Sequence, residues 1–178
     1  MKKTLSLLAI VLATAATSFA GQAVSKKVVV PADNCRFHAN EWQIDASVVG
    51  AGGTYKGQSG QGIGGNLGVN YFFTQYLGIG VDNSIGGYKK TSTSGAQAVD
   101  SLQGDLLFRL PICSWNLAPY AMVGGGGNWG PVSQGNGNVG GGLEYRFCPN
   151  VGLFADCRWL YGANLSMALP RVGLRFAF

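Results

Sequence analysis

Apolar and polar residues alternate along most of this chain, most cleanly at its end. In Arg171-Val172-Gly173-Leu174-Arg175-Phe176-Ala177-Phe178, the residues Val172, Leu174, Phe176 and Phe178 project to one face. Arg171, Gly173 and Arg175 project to the other, because strand side chains alternate with period 2. Seven earlier runs show the same alternation, over residues 42–52, 63–73, 77–88, 99–110, 118–129, 138–147 and 151–161. In the first, Trp42, Ile44, Ala46 and Val48 oppose Gln43, Asp45 and Ser47; in the fourth, Leu102, Leu106, Phe108 and Leu110 oppose Ser101, Gln103, Asp105 and Arg109. Only the glycine-rich fifth run, 118–129, leaves its parity open. Each run is roughly 10–12 residues, the length of a tilted membrane strand and about twice that of a strand in a soluble domain.

The connections are expected to alternate in length. Residues 74–76, 111–116 and 148–150 read as compact turns, and the polar, glycine-rich stretches 54–60, 89–97, 130–137 and 162–166 read as longer loops. Short turns on one side and longer loops on the other are the pattern of a bacterial outer-membrane barrel, with the turns periplasmic. An even strand count returns the C-terminus to the side where the first strand starts. The pattern therefore predicts an all-β, eight-stranded antiparallel up-and-down transmembrane β-barrel over residues 41–178.

The charges follow the same parity. Arg109, Arg146, Arg158, Arg171 and Arg175 all lie opposite the apolar row, and so do Asp45, Asp82, Asp105, Glu144 and Asp156. An eight-stranded barrel is just wide enough for its side chains to fill. Five cations and five anions in so narrow a tube are expected to pair, since an unpaired buried ion costs several kcal/mol. A plugged polar lumen follows, with glycines on the same face leaving room for guanidinium groups. The competing fold is a soluble sandwich or barrel whose arginines face water. Against it stand the strand length, the absence of lysine from strand interiors, and aromatics near both strand ends. Tyr71, Phe73, Tyr76, Phe147 and Phe178 are expected in a belt at the turn side, and Tyr88, Trp129, Trp159 and Tyr161 in one at the loop side.

Composition refines this picture. Lys2 and Lys3, an apolar run from Leu5 to Ala16, and Ser18-Phe19-Ala20-Gly21 form an export signal with cleavage expected between Ala20 and Gly21. That divides the chain into a signal peptide (1–20), a periplasmic tail (21–40) and the barrel. Without Lys2 and Lys3 the 13 basic residues become 11 against 8 acidic ones, a charge of +3. That is too mild and too scattered for nucleic-acid binding. Mean hydropathy is only +0.15, as expected where lipid-facing and lumen-facing residues average out. No cofactor or metal is expected: there is no Cys-x-x-Cys, and His38 is the single histidine.

With these features the chain resembles the small eight-stranded outer-membrane barrels, the family of outer-membrane protein A and outer-membrane protein X. The resemblance rests on the alternating terminal strand ending in Phe178, and on Tyr71-Phe72-Phe73 followed by Leu77-Gly78-Ile79-Gly80-Val81. It implies that Val172, Leu174, Phe176 and Phe178 form a signal read by the barrel-assembly machinery; unlike outer-membrane protein A, the chain is expected to carry no periplasmic peptidoglycan-binding domain. It further implies contact with outer-membrane lipid and lipopolysaccharide, a monomer, and both termini in the periplasm. Four cysteines depart from the family. Cys35, Cys113 and Cys148 all fall at the periplasmic rim, an oxidising compartment, where a disulfide among them is expected. Cys157 has lipid-face parity and reads as a small apolar residue.

No nucleophile motif is present, and His38 lies at the end opposite the outer leaflet, so no enzymatic role is predicted. Gly124 to Gly127 lack the strand–turn–helix context of a phosphate loop. The function predicted is structural or surface-interacting, with Lys56, Lys89 and Lys90 able to meet lipid phosphates. The alternatives are a small-solute or ion channel and an adhesin.

Overall fold

The computed structural model describes residues 35–91, 95–130 and 132–178. The cleavage site at Ala20–Gly21 and most of the tail lie outside the described residues. Eight strands follow in order: β1 (Glu41–Tyr55), β2 (Gln58–Phe72), β3 (Leu77–Lys90), β4 (Gln97–Arg109), β5 (Leu117–Trp129), β6 (Gln134–Cys148), β7 (Val151–Gly162) and β8 (Leu165–Ala177). Each pairs antiparallel with its chain neighbours, and β1 pairs with β8 to close the barrel. At the seam's end, the Trp42 amide donates to the Phe178 carbonyl and the Phe178 amide to the Trp42 carbonyl. Among the described residues the only helical element is a 3-10 turn over Cys113–Trp115.

Period-2 patterning decides which face each side chain meets. Ile44, Val48, Leu67, Ile79, Val81, Leu106, Val139, Leu143, Val172 and Leu174 all lie on the exposed outer wall. The fifth strand, ambiguous in sequence, has Ala118, Tyr120, Met122 and Asn128 inside and Ala121, Val123 and Trp129 outside. Its tetraglycine pairs continuously with both neighbours, Gly124 with Asp105 and Asn138, and Gly127 with Leu102 and Gly135.

Two expectations are corrected. The longer loops on one side are shorter than expected: much of 54–60, 130–137 and 162–166 is strand, and 91–96 separate β3 from β4. β1 and β2 run on until only Lys56 and Gly57 remain between them, and β7 and β8 until only Ala163 and Asn164 remain. Lys56 and Gly57 both have positive φ (49° and 73°), the requirement of a type I′ hairpin whose twist matches that of the strands. Glycine-rich polar stretches resemble loops in sequence, but inside a closed barrel both neighbours supply ladder partners and keep them extended. The difference in connection length that suggested an orientation is therefore absent. Tyr88 is also misplaced in the expected aromatic belt: it points into the lumen and is buried. The other aromatics expected in the two belts, apart from the half-buried Tyr71, lie exposed on the outer wall.

The ladder has one interruption at the seam. β1 and β8 pair from Gln43–Ala177 to Val49–Arg171 and again from Gly52–Ala168, leaving Gly50 and Ala51 unpaired there. Pro170 occupies the gap. It has no N–H to donate, and its ring lies against Gly50, where a Cβ would sit 3.2 Å from the Pro170 Cγ.

Candidate functional site

The ten charged residues singled out from sequence all lie buried in the lumen. They form two groups. At the end where β1 begins and β8 finishes, the terminal end of the barrel, Arg175 makes a fork to Asp45 (Nε to Oδ1 2.7 Å, Nη2 to Oδ2 2.6 Å) and reaches Glu144 with Nη1 at 2.8 Å. The Arg146 Nε donates to the other oxygen of Glu144 at 2.6 Å. Arg109 lies 4.0 Å from Glu144. Deeper in the barrel, Arg171 forks onto Asp156 at 2.8 and 2.9 Å and approaches Asp82 at 3.2 Å. Arg158 donates to both oxygens of Asp82, at 3.0 and 2.5 Å, and also to Asp105. Such two-pronged guanidinium–carboxylate contacts are the strongest polar contacts a dry interior can hold.

Neutral groups complete the shell. Asn70 donates to Asp45 (2.9 Å), Asn66 to Asp82 (2.9 Å) and the Tyr120 hydroxyl to Asp156 (2.5 Å). Glycine makes this density possible: a Cβ at Gly142 would collide with Asp156, and one at Gly80 with the Asn70 amide. Phe154 and Tyr120 lie 4.8 and 5.1 Å from the Arg175 guanidinium, which covers its faces without competing for its protons.

Sequence reasoning missed the sixth acid. Glu41, the first residue of β1, accepts from Arg146 through both oxygens (2.6 and 2.7 Å) and from Arg109 (2.9 Å). The signal was available, because Glu41 shares the odd parity of Gln43 and Asp45. The segment before β1 was also underread. Phe37 is buried, 4.5 Å from the Arg146 guanidinium and 5.0 Å from that of Arg109. Arg36 donates to the Arg146 carbonyl at 2.6 Å, and the Arg36 carbonyl accepts from Arg146 in return. The His38 carbonyl accepts from Arg109, while the His38 side chain stays exposed. A disulfide joins Cys35 to Cys113. Residues 35–40 thus cork this end of the barrel. Cys148 and Cys157 are free and exposed.

At the opposite end the lumen changes character. Val49, Tyr55, Tyr88, Val132, Leu160, Leu165, Met167 and Leu169 form a buried apolar cluster. Beside it lies a chamber of about 60 Å³, partly open to solvent. Gly64 and Gly86 line it on one side, with Val49, Leu160, Met167 and Leu169 also in its wall. No apolar lumen was expected, because in sequence an apolar parity was equated with lipid. β8 shows why that fails: Met167 and Leu169 share the parity of Arg171, one or two steps beyond the charged zone. Two polar atoms in the chamber wall, the Tyr88 hydroxyl and the Asn128 Oδ1, have no hydrogen-bond partner among the described residues.

The C-terminal residues Val172, Leu174, Phe176 and Phe178 line up on the outer wall of β8 and its end, at the β1–β8 seam.

No family model and no curated protein matches the chain. Solved structures match its fold. Neisserial surface protein A is 20% identical, with 77% of this chain and 97% of that one covered and a TM-score of 0.64. Ail, the attachment invasion locus protein of Yersinia pestis, is 17% identical over 79% of this chain and 99% of that one, with a TM-score of 0.56. The outer-membrane protein OprG from Pseudomonas aeruginosa is 12% identical over 81% and 99%, with a TM-score of 0.55. The fold is that of the small eight-stranded outer-membrane β-barrels.

Proposed function

We propose that this protein is an outer-membrane barrel with a sealed lumen, serving the envelope as a structural and surface-interacting element. Its termini are periplasmic, its outer wall meets lipid and lipopolysaccharide, and its terminal strand is recognised during barrel assembly. One observation carries the reading. Arginine–carboxylate pairs cross the barrel at successive levels, and the 35–40 cork covers the terminal end. A solute would have to part several charge-assisted contacts at once, leaving buried ions unpaired at a cost of several kcal/mol each. The connections at the other end, 56–57, 91–96, 130–133 and 163–164, are short and offer little surface for an adhesin to shape. Two supporting features fit a periplasmic terminal end: its disulfide suits an oxidising compartment, and Lys56, Lys89 and Lys90 gather at the opposite end, where lipid phosphates lie.

Planar-bilayer recording with the purified full chain tests the sealed lumen. The expected trace is flat at the level of the unmodified bilayer. Stable, reproducible conductance steps would overturn the reading in favour of a channel.

A further inference from the structure

The apolar chamber is not needed to seal the barrel, because the charge layers beneath it already do so. Three features bear on what it holds. The first is its wall: Val49, Leu160, Met167 and Leu169 line it together with Gly64 and Gly86, which project no side chain into it. Along β3 the lining runs from Ser84 to Tyr88, roughly 13 Å of strand, enough for a short alkyl chain.

The second is the charge of the hairpin end towards which the chamber lies, taken as its mouth, where Lys56 and Lys90 stand just outside the lining. The ammonium groups of Lys56 and Lys90 both sit over the ring of Tyr55, at 5.4 and 5.8 Å, and Tyr55 belongs to the buried cluster beside the chamber. The hairpin-end stretches 53–62, 86–98, 128–137 and 161–168 contain Lys56, Lys89 and Lys90 and no acidic residue. The floor has the opposite balance, with Asp82, Asp105 and Asp156 around only Arg158 and Arg171. An anion is therefore attracted at the mouth and repelled at the floor.

The third is an unused donor. The Tyr88 hydroxyl is buried without a partner among the described residues, an arrangement that costs free energy unless something fills it. It lies against Gly60, the residue paired with Lys90, and so at the level of the mouth. The Asn128 Oδ1 sits lower, level with the paired Ser84 and Ser101, and belongs to the floor.

We propose that the chamber binds a small anionic amphiphile, an unbranched alkyl carboxylate. Its chain packs against Val49, Leu160, Met167 and Leu169, and its carboxylate stays at the mouth with Lys56, Lys90 and the Tyr88 hydroxyl. The site is blind, because the charge layers close its inner end; the ligand enters and leaves by the same opening.

The test uses the full chain in nanodiscs of zwitterionic phosphatidylcholine, titrated calorimetrically with sodium octanoate, octanol and octylammonium, with empty discs as reference. Octanoate should bind saturably, one per barrel, above the partitioning seen with empty discs, and octylammonium should not. Replacing both lysines (Lys56→Gln with Lys90→Gln) should weaken octanoate at least tenfold and leave octanol unchanged. Tyr88→Phe should weaken octanoate several-fold. Ala51→Phe and Met167→Trp fill the chamber from different strands, and each should abolish binding. A heat-dependent gel shift confirms that each variant is folded, so the loss of one variant leaves the other as the test. Octanoate uptake no greater than that of empty discs would overturn the proposal. So would undiminished binding in a folded chamber-filling variant, or equal binding of octanoate and octylammonium.

Discussion

At the scale of single residues, the lumen is decided by how many guanidiniums face how many carboxylates. The terminal-end group balances Arg109, Arg146 and Arg175 against Glu41, Asp45 and Glu144. The inner group sets two arginines against three acids, Asp82, Asp105 and Asp156. Two substitutions separate the consequences. Arg158→Met strands Asp105 and leaves Asp82 with Arg171 alone, and should cost about 3–5 kcal/mol, the penalty for leaving a buried charge unpaired. Asp105→Asn removes the surplus carboxylate while keeping an acceptor oxygen, so its cost should stay near that of one neutral hydrogen bond, about 1 kcal/mol. Urea unfolding in lipid vesicles, followed by tryptophan fluorescence, measures both. Equal losses would mean that charge balance does not govern the layer. The ten residues of this network were legible in sequence from parity alone. Glu41 has the parity of the network but precedes Trp42, where the alternating run begins, so the pattern alone does not claim it. Which arginine meets which acid was not legible, because partners such as Asp45 and Arg175 stand 130 positions apart.

At the scale of elements, the β1–β8 seam lacks pairing at Gly50 and Ala51, and the cause is Pro170. Replacing it with valine restores a backbone donor opposite Gly50, a gain of about 0.5–1.5 kcal/mol. The same change frees the unfolded chain, a loss of about 0.4–1 kcal/mol. Global stability should therefore hardly move in Pro170→Val, while hydrogen exchange across Gly50 and Ala51 slows severalfold. Unchanged exchange there would show that the gap has another cause. The strands themselves were legible because lipid and lumen enforce strict alternation over ten residues or more. Their ends were not. Stretches such as Thr54-Tyr55-Lys56-Gly57-Gln58-Ser59-Gly60 have loop-like composition, and only the pairing of Tyr55 with Gln58 makes them a tight hairpin.

At the scale of the whole molecule, the Cys35–Cys113 bridge ties the segment before β1 to the turn between β4 and β5, across 78 positions. A closed loop of that length should stabilise by about 4–5 kcal/mol on chain-entropy grounds. The Cys35→Ser, Cys113→Ser double variant should lose stability of that order in the same urea assay. It should still show no conductance, because Arg158 and Arg171 seal the lumen well inside the cork. Steps appearing on loss of the bridge would instead make the cork the true barrier. By itself, the sequence determined the fold class, the strand count, the inner and outer faces of seven strands and the identity of most lumen charges. Each of these follows from a two-residue period that is local and strong. The tertiary structure alone decided the ion-pair partners, the disulfide chosen among three rim cysteines, the cork made by Phe37 and Glu41, and the apolar chamber. Those features arise from closing the barrel, which sets residues far apart in the chain across a narrow lumen from one another. There the other walls, and not the residue's own alternation, determine whether an inward side chain meets charge or hydrocarbon.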